Sequence, residues 1–202
     1  MTGPVDPRRL FEELLPEQLG TWSFPTPSVP ASLAVRVLGA GEWSFDLPGG
    51  RFRARRGIAP ETVVQLSLRE RDFAALVVSR LLPRMAAPGA EASAPGAPDS
   101  ALVRGVLSRV AGWDGETVDL LRRQHGSIVA HLRDGEQCRS VALTPGLGEP
   151  DFETPRCSVT CNLSDLEAVE QGRESPLDLL YGGRLEISGD AEIAVALAGL
   201  FL

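Results

Sequence analysis

A chain of 202 residues, of which 43% are hydrophobic, is long enough for one large domain or two small ones and can bury a substantial core. Its formal charge of −7 argues against a nucleic-acid partner, because phosphate binding requires a basic surface. No apolar run approaches the length of a transmembrane helix, so no membrane span is expected.

Cysteine usage predicts a reducing compartment. The chain has three cysteines, an odd number, and its first residues lack the apolar region of a secretory signal. Cys157 and Cys161 would lie about 13 Å apart in an extended segment, which is too far for a disulfide. Neither CxxC nor HxxxH spacing is present. We therefore expect a soluble cytoplasmic protein that holds no metal and no other cofactor.

The first half of the chain predicts strands that lead into a helix. Alternating apolar and polar residues predict strands over residues 33–38, 42–47, 51–55 and 62–68. Over residues 70–82 the apolar spacing becomes that of a helix. Residues 86–99 are rich in Ala, Pro and Gly, and this composition predicts a linker between two halves of similar size.

The second half predicts helices, a hairpin and a closing strand. Helical spacing predicts helices over residues 100–110 and 116–125. Asp134-Gly135 is a hairpin turn signal between two alternating segments. The predicted strands are residues 127–133, 136–143, 156–163 and 184–188, with short helices at 165–170 and 176–180.

The terminal helix carries the clearest functional signal. Between Ala191 and Leu202 only Glu192 is charged. A helix at a protein surface normally presents one polar face to water, and this helix has almost none. It must therefore be covered by the body of the protein, by another subunit or by a lipid.

Two segments suggest an internal duplication. Residues 63–77, VVQLSLRERDFAALV, align with residues 158–172, SVTCNLSDLEAVEQG. Both predict a strand that runs directly into a helix whose first turn is acidic. The first copy has no counterpart of the closing GRLEISGD motif. A chance match between two ordinary strand–helix units is the alternative.

Four segments of the second half resemble the sterol carrier protein-2 (SCP2) family. They are HLRDGEQ at 131–137, CSVTCNLSDLEAVEQG at 157–172, SPLDLLYGGRLEISGD at 175–190 and AEIAVALAGLFL at 191–202. The resemblance implies an α+β fold in which a five-stranded antiparallel sheet carries helices on one face. It also implies an apolar cavity, between the sheet and the C-terminal helix, that binds sterols, fatty acyl chains or other lipids.

The first half resembles the same family only in its middle. The chain therefore divides into a truncated SCP2-like unit at 1–85, the linker at 86–99 and an SCP2-like lipid-binding unit at 100–202. Two sheets that pack as a pseudo-dimer are expected, or a first unit that caps the second. The expected ligand-lining residues, taken from the apolar faces of the second unit, are Val106, Ile128, Leu132, Val141, Val159, Leu166, Leu180, Leu185, Ile187, Ile193, Leu197, Leu200 and Phe201.

These features favour non-catalytic binding or carriage of a hydrophobic ligand, such as a fatty acyl, sterol-like or isoprenoid lipid. An enzyme is not expected, because neither histidine has a Ser or Cys partner at a recognisable spacing. The alternative is a structural or oligomerisation module with a filled core and no ligand, whose apolar helix packs in a homodimer or against an enzyme partner. Abundant Arg, Ala, Gly and Pro indicate a bacterial source.

Overall fold

The computed structural model describes residues 6–78 and 99–194. Helix α1 comprises Pro7–Arg9, a π-helical turn at Leu10–Leu14 and Leu15–Leu19, and a short 3-10 turn covers Pro48–Gly50. The strands are β1 Ser32–Leu38, β2 Gly41–Asp46, β3 Arg53–Arg56, β4 Thr62–Arg69, β5 Ile128–Asp134, β6 Gln137–Pro145, β7 Cys157–Asn162 and β8 Leu185–Gly189. The other helices are α2 Glu70–Phe73, which continues as a π-helical turn at Ala74–Val78, α3 Asp99–Gly112, α4 Gly115–Arg123, α5 Leu163–Glu170 and α6 Pro176–Tyr181.

Within the described residues, both halves of the chain contribute to one eight-stranded mixed sheet in the order β3-β2-β1-β4-β6-β5-β7-β8. The expectation of a five-stranded antiparallel sheet is therefore wrong in strand number and direction. In each half an antiparallel hairpin, β1–β2 or β5–β6, is followed by a strand, β4 or β7, that pairs parallel to the first strand of the hairpin. The chain returns across the hairpin to the end at which that first strand began, so the two strands run in the same direction.

The halves join edge to edge through β4 and β6. These strands pair antiparallel, with Val64 opposite Pro145 and Leu68 opposite Val141. The expected pseudo-dimer of two packed sheets, and the expected cap over the second unit, are both replaced by this fused sheet. The reason is that the edge of β4 away from β1 is open to pairing, and β6 satisfies its backbone hydrogen-bonding groups.

One face of the sheet is largely apolar, with Arg56 opposite Trp43 and Arg139 opposite Leu132 among the charged positions on it. Cross-strand partners, and residues two apart on a strand, share a face. The register therefore groups Ala54, Trp43, Phe45, Leu33, Val35, Val64, Leu66, Leu68, Val141, Leu143, Ile128, Ala130, Leu132, Cys157, Val159, Cys161, Leu185 and Ile187 on what is here termed the apolar face. Helices α1 to α4 bury side chains against it, which agrees with the predicted α+β class and its one-sided helix layer.

The opposite face is polar and is crossed by the loop between β6 and β7. The side-chain amide of Gln65 donates to the carbonyl oxygens of Gly146 and Gly148, at 2.8 and 2.9 Å. Arg36 pairs with Glu42 at 2.7 Å and also with Glu149 in the loop. These contacts fix the crossing that carries the chain past β5 to β7.

Several predicted elements reach the limits of the described residues. The helix predicted at 70–82 is helical from Glu70 to Val78, and residues 79–98, with almost all of the predicted linker, lie outside the described residues. Asp99, the last residue of that linker, begins α3. Residues 191–194 are helical, and the rest of the terminal helix is not described. In the described ranges, no helix combines the length and apolarity that crossing a bilayer would require.

Candidate functional site

Half-buried aliphatic side chains form a line across the apolar face of the second half. In register, Val141 on β6 lies opposite Ala130 on β5, Ala130 lies beside Val159 on β7, and Val159 lies opposite Ile187 on β8. All four are half-buried, although they face the side that carries the helices. Core side chains are normally sealed by close packing, whereas this line, which is termed the second-half cleft, is only partly covered by the buried clusters beside it.

The cleft crosses the strands, and it is bounded on the side where β7 begins. Ile128, Cys157 and Ile193 are buried and belong to one hydrophobic cluster. Ile193 lies in the first turn of the terminal helix and is 0% exposed. The one large apolar side chain in the described start of this helix is therefore buried by the protein itself, whereas Ala191 and Glu192 are exposed.

The Gly189-Asp190 turn fixes the position of the terminal helix. Gly189 has a φ of 86°, and a Cβ at this position would lie 2.4 Å from the carbonyl oxygen of Arg156. The Arg156 Nε donates to Asp190 Oδ2 at 2.8 Å, and the Asp190 amide donates to the Arg156 carbonyl oxygen at 2.9 Å. The hydrogen bond from Arg156, together with the amide of Glu192, lowers the pKa of Asp190. The first turn of the helix, residues 191–194, is thus held beside the start of β7.

An ion-pair network lies on the opposite side of the cleft, where β7 ends. Arg184 Nη1 is 3.0 Å from Asp165 Oδ1, and the same guanidinium pairs with Glu174. Asn162 Nδ2 donates to Asp165 Oδ2 at 3.0 Å. The hydrogen bond to Glu174 and the further attraction of Asp165 raise the pKa of Arg184. The network joins the end of β7, the first turn of α5 and the start of β8.

Two thiols line the apolar face beside the cleft. Cys157 and Cys161 are 0% and 6% exposed. Burial raises the pKa of both, and the charges of Asp190 and Asp165 respectively add to the effect. Protonated, buried thiols act as small apolar groups rather than as nucleophiles. In the described part of the chain, no group of His, Cys and acidic side chains is placed to hold a metal ion.

The predicted ligand-lining residues are divided between the apolar face, the helices and the part of the chain that is not described. Six share the apolar face: Ile128, Leu132, Val141, Val159, Leu185 and Ile187. Val106 on α3 and Leu166 on α5 are half-buried, whereas Leu180 on α6 is 39% exposed at the surface. Leu197, Leu200 and Phe201 lie outside the described residues.

The predicted set omitted four second-half residues of this face: Ala130, Leu143, Cys157 and Cys161. The sequence does contain a signal for these residues, because side chains on one face of a strand recur at every second position. Ala130 alternates in step with Ile128 and Leu132, and the two cysteines flank Val159 at the same spacing. Small side chains on an inward strand face leave room for a guest. Omitting Ala130 and the two cysteines therefore hid the part of the face where the side chains are shortest.

A separate groove of about 300 Å³ lies beside the edge strand of the first half. Its lining includes residues 26–31 together with Asp46, Arg53 and Glu61. Arg53 donates two hydrogen bonds to the Asp46 carboxylate, at 2.9 and 2.6 Å. Because its lining comes from the first half alone, this groove is distinct from the cavity that the sequence predicts between the sheet and the C-terminal helix.

Comparison with known proteins points to one family for the second half. Residues 107–202 match the SCP-2 sterol transfer family. The matched residues contain β5 to β8 and hence the second-half cleft, and the match does not extend to the first half. No curated protein matches the chain.

Solved structures similar to this chain include three sterol carrier proteins. Sterol carrier protein 2 like 2 from Aedes aegypti has a TM-score of 0.34 and 21% identity, covering 50% of this chain and 93% of that chain. Palmitated SCP2L2 from Aedes aegypti has a TM-score of 0.36 and 22% identity, covering 50% and 92%. Sterol carrier protein 2 from Yarrowia lipolytica, in its apo form, has a TM-score of 0.30 and 18% identity, covering 38% and 66%.

Proposed function

We propose that the second half of the chain binds and carries a hydrophobic ligand without transforming it. The observation that supports this most directly is the second-half cleft, whose aliphatic side chains face the helix layer and yet are only half-buried. The match of residues 107–202 to a sterol transfer family agrees with it. The proposed ligand is a fatty acyl, sterol-like or isoprenoid lipid.

Burial energetics favour an apolar occupant. Removing apolar surface from water stabilises a complex by about 25 cal/mol per Å², whereas an unpaired polar group in such a site costs about 1–3 kcal/mol. An amphipathic lipid can lay its chain along Val159 and Ile187. Its polar group can then turn towards the ion-pair network at Arg184, on the side of the cleft where β7 ends. The buried, protonated thiols of Cys157 and Cys161 add apolar surface and no reactive group.

The setting of this function is part of the same proposal. Buried, unpaired thiols suit a reducing compartment, so we place the protein in the cytoplasm, and its composition favours a bacterial source. An enzyme or a second copy of the chain would deliver or receive the ligand. Light scattering of the purified chain tests the second copy.

We propose further that the two halves are diverged copies of one unit. In support, β1, β2 and β4 pair in the same way as β5, β6 and β7, and a helix follows the third strand directly in each half. The register agrees with the sequence alignment, since Val35 lies beside Leu66 as Leu132 lies beside Cys161. In this interpretation β6 occupies the position beside β4 that β8 occupies beside β7.

Lipid analysis of the full chain tests the binding proposal. We expect a lipid to co-purify, detected by native mass spectrometry, and cis-parinaric acid, a fluorescent fatty acid, to bind. Val159→Trp fills the cleft and should weaken probe binding by about tenfold or more. Thr160→Trp is the matched control, because Thr160 is the next residue on β7 and points to the opposite face. The absence of both lipid and probe binding would contradict the proposal and favour a module with a filled core.

A further inference from the structure

A second line of half-buried aliphatic side chains crosses the junction between the two halves. In register, Val35 on β1 lies beside Leu66 on β4, and Leu66 lies opposite Leu143 on β6. All three are half-buried. Val64 and Leu68, which flank Leu66 on the same strand and face, are 2% and 1% exposed. Val35 and Leu66 contact the buried cluster of the first half, so the helix layer covers them in part, whereas it covers Val64 and Leu68 almost completely.

This junction line meets the second-half cleft on β6. Leu143 and Val141 are two residues apart, point to the same face and are both half-buried. Their separation along the strand is about 7 Å, which their side chains bridge. The result is one continuous band from Val35 to Ile187 that crosses six adjacent strands. At about 4.8 Å between strands, the band is about 24 Å long.

We propose that the ligand site extends across the junction into the first half and takes an extended linear lipid, such as a long acyl or isoprenoid chain, rather than a compact ring system. The inference rests on the proposed function of the second half. It adds two first-half residues, Val35 and Leu66, to the site.

The shape and chemistry of the band support a linear occupant. All its side chains are aliphatic, so every part of it suits a hydrocarbon chain and no part pairs a polar group. It is narrow, because the next inward positions along β4 and β5, Leu68 and Ile128, are 1% and 4% exposed. It ends at Trp43, the β2 partner of Val35, which is 1% exposed and packs its ring 5.0 Å from that of Phe11. A long, narrow, closed-ended track favours a single flexible chain.

Photo-crosslinking of the wild-type chain tests where the ligand lies. Two stearic acid probes are used, one with a diazirine at the ω end and one with a diazirine near the carboxyl group. Trypsin releases residues 57–69, which contain Leu66, and residues 157–173, which contain Val159. We expect one probe to label 57–69 and the other to label the second half. Labels from both probes confined to the second half would overturn the inference and leave the proposed function intact, whereas no specific label anywhere would count against both.

Chain-length dependence provides a second test. In the wild-type chain, the affinity for saturated fatty acids should rise about fourfold per added methylene until the band is filled. Leu66→Trp blocks the junction, so it should stop this rise at a shorter chain. Leu38→Trp, at an exposed position of the same half, is the control and should behave as wild type. An identical rise in the Leu66→Trp variant, shown to be folded by circular dichroism, would overturn the inference.

Discussion

The two halves of the sheet share a strand arrangement but cover their inward faces differently. In the first half, Phe11 packs against Trp43, Phe45 and Phe73 with ring centroids 5.0, 5.5 and 5.7 Å apart, and all four rings are buried. In the second half, alanine, valine and isoleucine occupy the inward positions of the cleft and are half-buried. The same pairing therefore carries an aromatic core in one half and, in the other, a line of small and aliphatic side chains that is only partly covered.

The positions of the helices explain this difference. In the first half, α1 precedes the hairpin and inserts Phe11, and Trp43 fixes it by donating its indole N–H to Glu12 at 3.1 Å. In the second half, α3 and α4 precede the hairpin but pack towards the junction. Leu107 joins the aromatic cluster of the first half, and Val118 packs in the cluster that contains Val63. These two helices are thus shared between the first half, the junction and the beginnings of β5 and β7, where Ile128 and Cys157 belong to the same cluster.

The largest expected effect is on the aromatic cluster. Phe73→Ala should lower the free energy of unfolding by about 3–5 kcal/mol, because a fully buried ring is removed and the surrounding rings cannot close the cavity. Val159→Ala, in the open face, should cost about 1 kcal/mol. Urea denaturation followed by tryptophan fluorescence measures both. Equal losses would show that the second half is packed as tightly as the first.

A smaller effect is expected at the turn before the terminal helix. Gly189→Ala should cost about 1–3 kcal/mol, because it combines a positive φ with a clash against the Arg156 carbonyl. The substitution should also weaken cis-parinaric acid binding, since Ile193, in the first turn of the terminal helix, bounds the cleft on the side where β7 begins.

Gly135→Ala is the matched control for this substitution. Its φ is 59°, but no atom lies within 4 Å of the added Cβ, and it sits in the hairpin turn away from the cleft. We expect it to cost less than Gly189→Ala in thermal unfolding and to leave probe binding unchanged. Equal loss of binding in both variants would show that the turn does not position the terminal helix.

Local sequence patterns predicted the helices and strands of this fold. They did not predict how strands from distant parts of the chain pair, or which side chains distant helices cover. Alternation around Asp134-Gly135 predicted the β5–β6 hairpin, and Gly189-Asp190 predicted the end of β8. The pairing of β4 with β6 depends on which strand edges remain free after each half folds, and no short pattern encodes that. Alternation also placed Leu66 and Leu68 on one face, but the difference in their exposure depends on where distant helices pack.

The smallest expected effect concerns two carboxylates that anchor helices in the two halves. The hydrogen bond from Trp43 lowers the pKa of Glu12, and the hydrogen bond from Arg156 lowers the pKa of Asp190. A carboxylate whose native pKa is depressed stabilises the fold fully above its unfolded pKa, and this stabilisation is lost as the pH falls through its native pKa. Glu12→Gln and Asp190→Asn should therefore be less stable than wild type at neutral pH.

The two anchors differ in the pH at which the stability of the variant becomes equal to that of wild type. The ordinary value of a glutamate, 4.5, lies above that of an aspartate, 3.8. The difference between Glu12→Gln and wild type should accordingly begin to shrink at a higher pH than the difference for Asp190→Asn, as urea midpoints between pH 7 and pH 3 would show. Asp134→Asn, in the exposed hairpin turn, is the control. Only loss of the Asp190 anchor should also weaken cis-parinaric acid binding, because it holds the first turn of the terminal helix beside the cleft, whereas Glu12 holds α1 over the aromatic cluster, which lies beyond the end of the band at Trp43. Equal loss of binding in the Glu12→Gln variant would mean that α1 also shapes the ligand site.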